Sequence, residues 1–202
     1  AALWIAIAAR WGHIGDFAAQ ERSLAQAERC CEDRVQAGLL ACERAALLEG
    51  PLAAPTRARV AYERARTLLP AHAATLAALD RLYTRSDRRR ELLQTLAERA
   101  GHSHGAERGA ILERAARCAE SLGEVETAAR LWEDSVAPDV ADPATAEARL
   151  APAIAAQARA GRIEAQAALL EQALQSTATS ETAAALQREL AGIHRDRLGR
   201  AD

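Results

Sequence analysis

Residues that let a helix end and the chain reverse recur at nearly constant intervals. Gly15, Gly50, Asp87, Gly123, Gly161 and Gly199 lie 35, 37, 36, 38 and 38 residues apart. Glycine inside a helix costs roughly 1 kcal/mol relative to alanine, so a regular series of this kind predicts a regular series of turns. Asp87 fits the series because a short polar side chain tolerates the left-handed backbone that such turns use. A fold built from one unit repeated about every 36 residues is therefore expected.

The stretch from Glu107 to Val136 shows what the unit is. Ile111, Leu112, Ala115, Ala116, Ala119 and Leu122 recur at steps of three and four, with Glu113, Arg114, Arg117 and Glu120 on the other side, the pattern of an amphipathic helix. After Gly123, a second stripe of Val125, Ala128, Ala129, Leu131 and Trp132 follows. Neither helix buries its stripe alone, so the two pack together and against neighbours. Eleven residues before the first five turns stand Trp4, Leu39, Leu76, Leu112 and Leu150. Nine after the turn come Leu24, Leu96, Trp132 and Leu170, with Tyr62 taking that role in the second unit if the extra residues sit between Pro51 and Pro55.

The first unit resembles the tetratricopeptide repeat family, with Trp4, Ile7, Ala8, Trp11, Gly15, Phe17, Leu24 and Ala27 matching its alternation of large and small residues. Seven residues before the turn, where that family usually has a small side chain, stand Glu43 and Asp80 in the second and third units. The resemblance extends over nearly the whole chain. It implies an all-α, right-handed solenoid of antiparallel helix pairs, about five and a half repeats in a single domain over residues 1–202. The repeats are bounded near 1–31, 32–71, 72–104, 105–141, 142–179 and 180–202, the last one partial.

Helices are expected over about 1–12 and 16–30, 32–49 and 56–69, 72–85 and 87–100. Gly101, His102, Ser103, His104 and Gly105 read as a loop. Asp142 and Pro143 make a cap and first-turn combination for the fifth pair. Pro152 predicts a kink or break, because an interior proline costs about 3 kcal/mol. Thr177 to Ser180 reads as a loop, followed by a last helix to about Leu198 with Leu186, Leu190 and Ile193 on one face. The missing methionine, even at residue 1, reads as a segment of a longer array whose true start and targeting signals lie elsewhere.

Composition excludes several classes. A net charge of −2, built from arginine against Asp and Glu with no lysine, gives little general attraction for nucleic acid or anionic membrane. The basic run Arg88 to Arg90 is flanked by Asp87 and Glu91 and lacks stacking aromatics. No apolar run is long enough to span a membrane. Cytoplasmic residence is expected, with export left open, and the alanine and arginine bias suits a bacterial, GC-rich coding sequence. Cys30, Cys31, Cys42 and Cys118 lack metal-ligand spacing and read as buried structural thiols.

The resemblance places the first helix of each pair on a concave surface that binds extended peptides or helices. Thirteen before each turn stand Ala2, Ala37, Ala74, Ala110 and Ala148, which leave volume there; six before stand Ala9, Arg44, Arg81, Arg117 and Ala155. Guanidinium forks suit bidentate carboxylate binding. Arg44, Arg81 and Arg117, helped by Arg85 and Arg159, are thus the candidate anchors for an acidic peptide. The competing reading is that they are solvated or paired with Glu113 and Glu120. A regulatory arm of a larger signalling or transcription protein is a second binding function. A metal-dependent hydrolase using His102 and His104 is the alternative from another class, but no third ligand accompanies them. No enzyme activity and no cofactor are expected; the partner is a protein or peptide.

Overall fold

A computed structural model of the chain describes residues 1–137, 143–176 and 180–196. The described residues form eleven helices, and the chain divides into two compact units. Unit 1, Ala1–His102, holds α1 (Ala2–Ile14), α2 (Phe17–Arg29), α3 (Arg34–Glu49), α4 (Pro55–Leu68), α5 (Ala73–Arg85) and α6 (Arg89–His102). Unit 2, Ser103–Asp202, holds α7 (Gly105–Ser121), α8 (Val125–Ser135), α9 (Pro143–Ala160), α10 (Ile163–Ser176) and α11 (Ser180–Asp196). Within each unit every helix packs on the one before it.

Local chemistry sets the boundaries. The Asp16 carboxylate accepts from the Ala19 N–H at 2.8 Å, and that of Asp33 accepts from Val35 at 2.8 Å and Gln36 at 3.2 Å, satisfying first-turn donors. Arg34 donates to the Thr67 and Leu68 carbonyls at 2.8 and 3.2 Å, so a guanidinium closes the C-terminus of α4. Gly15, Asp87, Gly123 and Gly161 have φ of 81°, 51°, 74° and 68°, the left-handed turns that the spacing predicts. Asp142, the loop over 177–179 and Gly199 lie outside the described residues.

Three expectations are corrected. Gly50 has φ −87°, and the left-handed residue of the second pair is Ala53, at φ 45°. The extra residues sit between Pro51 and Pro55, as expected, and Tyr62, nine residues after Ala53, is buried like Leu24, Leu96, Trp132 and Leu170. Within α3 the buried positions fall two residues later than a count from Gly50 gives. Leu39 is 49% exposed while Ala41 is buried, and Ala45 rather than Glu43 is the small residue in the core. Next, α9 runs unbroken through Pro152. Its ring removes the donor that would reach the Ala148 carbonyl, while Leu150, Ala153, Ile154 and Ala156 hold the helix in the core. Finally, Gly101 and His102 belong to α6 and His104 caps α7, leaving little of the loop expected there.

Against the expectation of buried thiols, only Cys118 of the four cysteines is buried; Cys30 is exposed, and none of the four is in a disulfide. Asp80, the polar residue in a small-residue position, is buried and ion-paired to Arg99 of the following helix.

Candidate functional site

Four of the five candidate arginines are ion-paired within their own unit. In unit 1 the two-residue shift in α3 brings Ala46, which is exposed, to the groove-facing position and turns Arg44 toward α2. There Arg44 pairs with Glu21 at 3.3 Å and Glu28 at 2.5 Å, both carboxylates being 9% exposed. Arg81 of α5 pairs with Glu49 of α3 at 3.1 Å. Arg85 is exposed and has no ion pair among the described residues. In unit 2 Arg117 pairs with Glu113 at 2.7 Å and lies 6.0 Å from the Trp132 ring centroid, over its face. Arg159 pairs with Glu120, which also accepts from the Trp132 indole N–H at 3.1 Å. Ala2, Ala74, Ala110 and Ala148 are exposed, as a groove floor requires, but Ala37 is buried.

A network not anticipated from the sequence joins α2, α3 and α4. Glu21 and Glu28, seven apart on α2, meet Arg57 and Arg64, seven apart on α4, at 3.2 and 3.3 Å, with Arg44 between the two carboxylates. Each pair is 36 residues apart, about one repeat, as is Arg149 with Glu113 in unit 2 at 2.9 Å. Opposite charges spaced 36 residues apart, two short of equivalent positions, were thus a readable signal.

Above this network lies a cleft of about 620 Å³, lined by Trp4 and Trp11 of α1, Arg22, Gln26 and Arg29 of α2, and Arg44 and Arg57. Its lining carries four guanidinium groups against the single carboxylate of Glu21. Arg44 and Arg57 are already paired. Arg22 and Arg29, seven apart on one helix, are exposed and have no carboxylate partner among the described residues. The two indoles are 37% and 36% exposed, so apolar faces stand beside uncommitted positive charge. Guanidinium forks suit carboxylates, and exposed indole faces suit apolar groups.

Among the described residues no group of three or more His, Cys, Asp or Glu side chains is arranged to hold a metal ion. No helix there is long and apolar enough to cross a membrane. Arg88 and Arg89 of the basic run are paired to Glu91 at 3.4 Å and Asp87 at 2.7 Å.

Among the described residues the chain is an all-α series of helix pairs, each helix packed on the one before it within its unit. No family model matches the sequence, and no curated protein does. Among solved structures it is similar to the MamA protein at 11% identity, covering 98% of this chain and 93% of that one with a TM-score of 0.47. A tetratricopeptide repeat protein from Parabacteroides merdae ATCC 43184 aligns at 13% identity over 98% and 73% of the two chains, TM-score 0.48. PilF of Pseudomonas aeruginosa aligns at 15% identity over 98% and 86%, TM-score 0.41.

Proposed function

We propose that the protein is an interaction scaffold whose unit 1 cleft holds an acidic peptide segment of a partner protein. The observation that carries this reading is the pair of exposed, uncommitted arginines, Arg22 and Arg29, beside Trp4 and Trp11 in one cleft. Partner carboxylates meet the guanidinium forks, and an apolar partner side chain covers the indoles. Arg44 keeps its place between Glu21 and Glu28, so its role is to hold α2 against α3 and to set the floor. Arg81, Arg117 and Arg159 already have carboxylates in reach and would have to exchange them for a ligand's, which leaves little net gain.

The test is fluorescence anisotropy with a labelled twelve-residue peptide of alternating Glu and Leu. The wild type binds it, and R22A/R29A weakens binding about tenfold, the equivalent of roughly 1.4 kcal/mol, with helicity unchanged. R81A/R117A/R159A binds as the wild type does. Loss of binding in the second variant and not the first would return the site to the original arginine column and sink the cleft.

A further inference from the structure

Unit 2 carries a second opening of the opposite character. A groove of about 500 Å³ lies among α9, α10 and α11. Leu150 and Ile154 of α9 are buried at its floor, and Leu186 of α11 is half-buried there. Ala155 and Ala158 are exposed along one wall, so nothing larger than a methyl group keeps a visitor from the α9 backbone. Each of the two walling helices contributes one carboxylate, Glu147 from α9 and Glu189 from α11, and both are exposed. Glu189 accepts from the Gln166 amide at 3.0 Å, a neutral donor that leaves its charge in place. Glu147 has no cationic partner among the described residues, and no arginine lines the groove.

We infer that this groove docks an amphipathic helix of a partner protein that carries basic residues beside its apolar stripe. The occupant is a helix because the lining is Ala, Leu and Ile with only two carboxylates, so few side chains are there to hydrogen-bond the unpaired backbone of an extended segment, whereas a helix satisfies its own. A helix needs only an apolar trough, into which it lays residues spaced three and four apart. Its charge follows from the rim: two unneutralised carboxylates on opposite walls disfavour an acidic helix and attract arginine or lysine on both flanks of the stripe. The partner chemistry is the reverse of that proposed for unit 1, and the two sites share no residue.

The experiment uses the full chain and two labelled eighteen-residue helical peptides with the same leucine stripe, one flanked by arginine and lysine, the other by glutamate. The basic peptide is expected to bind. E147Q/E189Q weakens it about tenfold, as the loss of two favourable charge contacts implies. Ala155→Phe, at an exposed position outside the core, fills the trough and abolishes binding, while R22A/R29A leaves it unchanged; circular dichroism checks that each variant stays folded. Equal binding of both peptides, binding of the basic one that survives both groove variants, or no binding of either overturns the inference. So does a concentration-dependent dimer that Ala155→Phe dissociates, since the groove would then belong to a second copy.

Discussion

Two buried tyrosines are expected to weaken the fold in alkali. The Tyr62 hydroxyl donates to Glu49 at 3.2 Å and that of Tyr83 donates to Glu63 at 2.9 Å. Burial first, then the adjacent carboxylate, pushes both hydroxyls up to about 12. A phenol in the unfolded chain titrates near 10. The fold therefore favours the protonated form, and that stabilisation is complete below about pH 10 and lost as pH rises from there through about 12. Cys42, whose thiol burial also pushes up, adds a loss of the same sign beginning near pH 9. Urea midpoints measured from pH 8 to 12 are expected to fall across that window. In Y62F/Y83F the fall is shallower, while the midpoint at neutral pH is lower because each lost hydrogen bond is worth about 1 kcal/mol. An identical slope in both proteins would show that other groups drive the alkaline loss.

Helix count, pairing and most turns follow from two visible patterns, the three-and-four apolar spacing and the recurring turn residues. What the spacing missed was the second turn, because Gly50 looks like a turn residue and Ala53 does not. With no other residue at the reversal, alanine takes a positive φ there at a cost of roughly 1–2 kcal/mol. Ala53→Gly is accordingly expected to stabilise the chain by about 1 kcal/mol, read as a raised urea midpoint with an unchanged denaturant slope. That single misplaced turn also misassigned Arg44, since a two-residue slip on a helix moves a side chain by about 200° around the axis. Of the kink or break expected at Pro152 the break does not occur: local propensity predicts it, and burial of α9 between neighbours overrides it. The local cost remains even where packing prevails. Pro152→Ala is expected to raise stability by about 1–2 kcal/mol, the proline penalty less the entropy that proline removes from the unfolded chain. A destabilised variant would mean that the ring, half-buried in α9, fills space that alanine leaves empty.

Across the whole molecule a net charge of −2 conceals local segregation, and this is why composition was a poor guide to partners. Four arginines against one carboxylate line the unit 1 cleft, while carboxylates alone rim the unit 2 groove. The apolar lining of both was readable from helix periodicity, but their charge was not, because it depends on which arginines find glutamates one repeat away. Those contacts are local: the core group of Ala8, Leu24, Ala27 and Leu40 and the one that holds Tyr62 and Tyr83 are built from residues of unit 1, as are the ion pairs between Glu21, Glu28, Arg44, Arg57 and Arg64. In an array whose stability is a sum over neighbours, such a set sustains its own fold. The fragment 1–102 is therefore expected to be helical, to unfold cooperatively in urea, and to bind the acidic Glu–Leu peptide as the full chain does. It should fail to bind the basic amphipathic peptide. Circular dichroism with the same anisotropy titrations reads all of these at once. A folded fragment that loses the acidic peptide would mean that recognition needs residues beyond 102, and an unfolded one would mean that unit 1 draws its stability from the rest of the chain.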